Sequence, residues 1–136
     1  MKYVERDELD RVANDLGKRL ADLELNKASV FNYGAATPVA VSIVECRGSM
    51  LTNVNAGADT HFDLPAAAVG MRIEFFVAAA QTITIDPNGS DRIMIVTGTA
   101  GDYLRSDTVI GTYINLICIK AGEWQVLYYK GVWTEE

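Results

Sequence analysis

The stretch Gly70–Lys120 constrains this chain most, because short apolar runs and turn residues follow one another there without room for a helix. Met71–Val77 is apolar or aromatic with Arg72 and Glu74 interleaved, the pattern of a strand with one well-buried face. Thr82 and Thr84 then alternate with Ile83 and Ile85. Asp86-Pro87-Asn88-Gly89 predicts a turn, since proline presets φ and Asn-Gly tolerates positive φ. Arg92–Val96 resumes an apolar run, so the stretch reads as a β-meander.

Strand character extends on both sides. Val39–Cys46, Met50–Val54 and Thr60–Leu64 precede the central stretch, with bends allowed at Gly48 and Asn55–Asp59. Tyr103–Asp107 follows it, and Thr112–Lys120 with Glu123–Lys130 predicts a closing hairpin rich in Ile, Trp and Tyr. Lys27–Pro38 reads as a connector, and the sequence carries no internal repeat. The expected class is mainly β: an antiparallel sandwich or barrel-like body over residues 29–136.

Residues 1–28 form a different segment. From Arg6 to Asn26 there is no proline, and Leu9, Ala13, Leu16, Leu20 and Leu23 follow alternating spacings of four and three. This is a narrow heptad seam on an N-terminal helix for oligomerisation or attachment. Gly17 weakens its middle by about 1 kcal/mol, and an isolated helix of this length is marginal, so it needs a partner. Two arrangements fit: several copies paired in a short coiled coil, which the narrow seam favours, or one amphipathic helix laid on its own β-domain.

Charge narrows the partners. The net charge is −6, and from Ser29 onward six basic residues stand singly among eleven acidic ones. Duplex phosphates would be repelled, so no nucleic-acid ligand is expected. No apolar run approaches the roughly 20 residues of a membrane-spanning helix, and the charged start Met1–Asp7 is unlike a signal peptide. Synthesis in the cytoplasm is expected. Cys46 and Cys118 sit in apolar runs and read as buried free thiols.

No motif here carries catalysis. His61 is the only histidine and alternates with Phe62 and Leu64, so it should point away from them, as an exposed or structural residue. With Cys46 and Cys118 it shows no zinc spacing, and no metal site or cofactor is expected. Asp86–Asp91 resembles the start of a calcium loop but has glycine at the fourth position instead of the sixth, and Thr97 at the twelfth instead of glutamate. Asp102 and Asp107 have no catalytic spacing, and Gly98–Gly101 lacks a phosphate-loop lysine. Trp124, Tyr128, Tyr129 and Trp133 cluster near the C-terminus. They read as core and subunit interface, or as a platform for the apolar faces of sugar rings. On an uninterrupted strand Trp124, Val126 and Tyr128 would share one face.

The order Leu64-Pro65, Gly70–Val77, Gln81–Ile93, Gly101–Asp107, Thr112–Ile119 and Trp124 resembles the β-modules of tailed-phage virion proteins. These include tail-fibre tips, head fibres or spikes, and capsid decoration proteins, some from phage-derived gene transfer agents. The resemblance spans roughly residues 50–130 and implies a homotrimer in which a coiled coil or connector leads into the β-body. It further implies a place on the virion surface, contacts with other virion or capsid proteins, and contact with host-surface polysaccharide. The chain is short for a whole tail fibre, which favours a head spike, head fibre or decoration subunit. A tail-fibre receptor-binding tip and a free-standing carbohydrate-binding module are the alternatives, and an enzyme is not expected.

Overall fold

The computed structural model describes residues 8–19, 29–34, 38–95 and 98–136. Residues 8–19 are helical, and their side chains are exposed on every face. Leu9, Ala13 and Leu16 of the seam lie on this helix, whereas Leu20 and Leu23 lie outside the described residues. Among the described residues, this length of helix buries no stripe against the β-body.

Among the described residues eleven strands follow: β1 (Val30–Asn32), β2 (Val39–Ala40), β3 (Arg47–Thr52), β4 (Thr60–Asp63), β5 (Arg72–Phe76), β6 (Ile83–Asp86), β7 (Arg92–Met94), β8 (Leu104–Ser106), β9 (Tyr113–Lys120), β10 (Glu123–Lys130) and β11 (Trp133–Glu135). They form two mixed sheets, ordered β1-β3-β5-β9-β10-β7 and β11-β8-β6-β4-β2. Hence the chain is mainly β with an N-terminal helix. The expectation of an antiparallel body is corrected: β1–β3, β3–β5, β2–β4, β4–β6 and β7–β10 pair parallel. Among the described residues antiparallel pairing is confined to β5–β9, β9–β10, β6–β8 and β8–β11.

The cause is the path of the chain. From β1 to β9 every successive strand lies in the other sheet, so consecutive strands never pair. Val30 stands beside Met50 and Met50 beside Glu74 in one sheet, while Val39 stands beside Phe62 and Thr60 beside Ile83 in the other. Each circuit therefore takes 20 to 24 residues and returns one layer further on, pointing the same way. The central stretch is accordingly not a meander; β5 and β7 belong to one sheet and β6 to the other. Only β9 and β10 make the predicted hairpin, and they close the coil by antiparallel pairing on β5.

Local chemistry sets the corners. Asn53 is fully buried at the end of β3, where its Oδ1 accepts from the amides of Ala78 and Ala79 at 2.7 and 2.9 Å. Its Nδ2 donates to the carbonyls of Ala79 and Gln81 at 3.3 and 3.1 Å, so one side chain holds the β5–β6 corner. The stretch expected as strand over Val39–Cys46 breaks after Ala40, because Glu45 folds back to accept from the Ser42 amide and hydroxyl. At the Asp86–Asp91 turn Gly89 takes a φ of +53° and the Asp91 amide donates to Asn88.

Alternation along each strand sends one face inward. Leu51, Ile73, Phe75, Ile114 and Leu116 come from the first sheet, and Phe62, Ile83, Ile85 and Leu104 from the second; all belong to one buried cluster. Phe62 meets Phe75 across the sheets with ring centres 5.1 Å apart. Each such side chain contributes about 1.5–3 kcal/mol by leaving water. Cys46 and Cys118 are buried free thiols, and burial, aided by the Glu45 charge, pushes the Cys46 thiol up to about 11.

Candidate functional site

The four C-terminal aromatics, read from the sequence as core and subunit interface or as a sugar platform, part company in the structure. Trp124 is fully buried, and Trp133 is 7% exposed with Nε1 donating to the carbonyls of Tyr113 and Lys130 at 3.1 and 3.2 Å. Both tryptophans are core residues, so neither offers a face to a sugar. Tyr128 and Tyr129 remain half-exposed.

A register shift separates them from the tryptophans. Val126 pairs with the core residue Leu116, but two residues later Tyr128 pairs with Asn115, which points the opposite way. The shared face expected for Trp124, Val126 and Tyr128 is thus broken at Leu127. Tyr128 instead lies on the outer face against Tyr113, ring centres 6.0 Å apart and edge to face. Beneath it Asn115 is buried with Oδ1 lacking a hydrogen-bond partner. Tyr129 stands opposite Ile114 in the ladder.

The outer face of the second sheet carries the densest chemistry. His61 points away from the buried Phe62 and Leu64, as its alternation predicted. Its Nε2 lies 3.1 Å from Asp63 Oδ1 and 3.6 Å from Asp86 Oδ2. Parallel pairing of β4 with β6 sets Asp63 directly beside Asp86. The three donor atoms fall within 4.8 Å of one another, with side chains 31, 45 and 29% exposed. Tyr103 stacks edge-on against the imidazole at 5.6 Å and limits its rotation. The neighbouring guanidinium of Arg105 is directed to Glu136 at 3.5 Å.

Sequence reasoning singled out His61 and set it apart from any ligand set. Asp63 was legible as its partner, because residues two apart on a strand share a face. Asp86 was not legible, since only the register of two parallel strands brings it to Asp63.

A buried acid organises the start of the β-body. Glu45 accepts a hydrogen bond from the Tyr33 hydroxyl, and the hydroxyl is pushed up to about 12 by burial first, then by that bond and the carboxylate charge. This arrangement ties the segment after β1 to the turn before β3.

A scan against protein-family models finds no match for this chain, and a search of curated proteins finds none either.

Proposed function

We propose that this chain is a structural subunit on the surface of a phage-like particle, a head spike, head fibre or capsid decoration protein that assembles as a homotrimer through its N-terminal helix. The observation that carries this reading is the exposed apolar side of that helix. Leu9, Val12 and Leu16 are 70, 52 and 55% exposed, and residues 8–19 are exposed throughout. A short helix gains its stability from a partner, and the seam spacing suits a second copy of the same helix. The β-body agrees with attachment at that end. Its first circuit leaves β1 and β2 as open sheet edges, with Val30 and Phe31 exposed. The particle and the trimer are what the sequence resemblance to virion β-modules implies.

Labelled antibody against the β-body should decorate particle heads in electron micrographs. Label confined to tail tips would favour the receptor-binding alternative, and purified particles without label would overturn the virion reading.

Contact with host polysaccharide is a second reading, supported by the Tyr113–Tyr128 pair on the outer face. Tyr128→Ala should weaken binding to a capsular polysaccharide by about two- to tenfold, given about 0.5–1.5 kcal/mol for one aromatic contact. Unchanged binding by this variant would remove the carbohydrate role from this surface.

A further inference from the structure

We propose that His61, Asp63 and Asp86 form a binding site for a divalent first-row transition ion on the outer face of the second sheet. The donor set is one imidazole nitrogen and two carboxylate oxygens, each from a different side chain and already converged. Ligands about 2.1 Å from a metal stand about 3.0 Å apart on an octahedral edge and about 3.4 Å apart on a tetrahedral one. The observed 3.1 Å from Nε2 to Asp63 falls on such edges, the 3.6 Å to Asp86 lies slightly beyond them, and all three donors stand within 4.8 Å, so closure around an ion needs the side chains to draw in slightly.

The sheet register supplies an independent argument. Asp63 and Asp86 are directly opposed on neighbouring strands, where like charges destabilise the pair. A cation held between them offsets that repulsion. Among the described residues the only ion-pair partner either carboxylate has is His61, and Arg105, on the adjoining strand, is engaged by Glu136. The site is held from below by Phe62 and Ile85, core residues of the same two strands, and from the side by the Tyr103 ring. Three protein ligands leave coordination positions open to water or to an anionic group from outside. The mixed nitrogen and oxygen set points to the zinc and manganese class over calcium or magnesium, which prefer oxygen alone.

The sole histidine makes the test direct. Zinc chloride titrated into the full chain should shift the single set of imidazole proton resonances and saturate at one equivalent per chain. Manganese should broaden the same resonances selectively. In calorimetry Asp86→Asn and His61→Ala should each weaken zinc binding at least tenfold while far-ultraviolet circular dichroism stays unchanged. Imidazole resonances that neither shift nor broaden would overturn the proposal without any variant. Zinc binding that is equally tight in both variants would overturn it as well, by placing the ion elsewhere.

Discussion

Asp107 shows how one residue can hold several segments. Its Oδ1 accepts from the Thr112 hydroxyl at 2.6 Å and the Val109 amide at 3.0 Å, and its Oδ2 from the Val132 amide at 2.9 Å. The Thr112 bond, with those from the two amides, holds the carboxyl below its usual value against the opposing effect of burial. A depressed folded value contributes stability that is full above the unfolded value near 3.9 and is lost as pH falls through the folded one. Asp107→Asn should therefore cost about 1–2 kcal/mol at neutral pH through weakened charge-assisted bonds. The urea midpoints of the two proteins should converge as the pH falls below about 3.9. A gap that stays constant down to pH 2 would show that the carboxylate charge contributes nothing.

At this scale the sequence was legible wherever alternation decides. His61 faces away from Phe62 as its neighbours predicted. The aromatics left two readings open because Trp and Tyr serve both cores and surfaces, and the burial of Trp124 and Trp133 agrees with the core reading. Trp133 could be recognised as core only by knowing that the carbonyls of Tyr113 and Lys130 lie within reach of its indole.

At the scale of elements, strands and turns were largely readable and pairing was not. Local composition marked β3 to β10, and Asn88-Gly89 did turn the chain. Short strands at close spacing suggested antiparallel neighbours, yet each corner from β1 to β9 carries the chain to the opposite sheet. Parallel partners among β1 to β6 are consequently 20 to 25 residues apart, as with Met50 and Glu74, and no repeat in the residues marks them. β1 was hidden within the connector because a three-residue edge strand leaves almost no pattern. The corners depend on buried polar side chains, Asn53 above all. Asn53→Ala removes four hydrogen bonds at a fully buried site and should cost about 2–4 kcal/mol, read as a lower urea midpoint with unchanged slope. A loss below about 0.5 kcal/mol would mean that the corner is held by its strands alone.

For the whole molecule, the contrast between a closed β-core and a bare helix governs the functional reading. The body buries its own apolar faces in one cluster, whereas Leu9, Val12 and Leu16 have no cover within the described residues. The proposed assembly through the helix would resolve that imbalance and would leave both outer sheet faces free, one with the Tyr113–Tyr128 pair and the other with the His61 trio. The most direct test is the native mass by light scattering of the full chain and of a chain starting at Ser29. Assembly through the seam predicts three copies of the 14.9 kDa chain for the first and one copy for the second. Monomers in both would contradict it, and a trimer that survives truncation would move the contacts to the β-body.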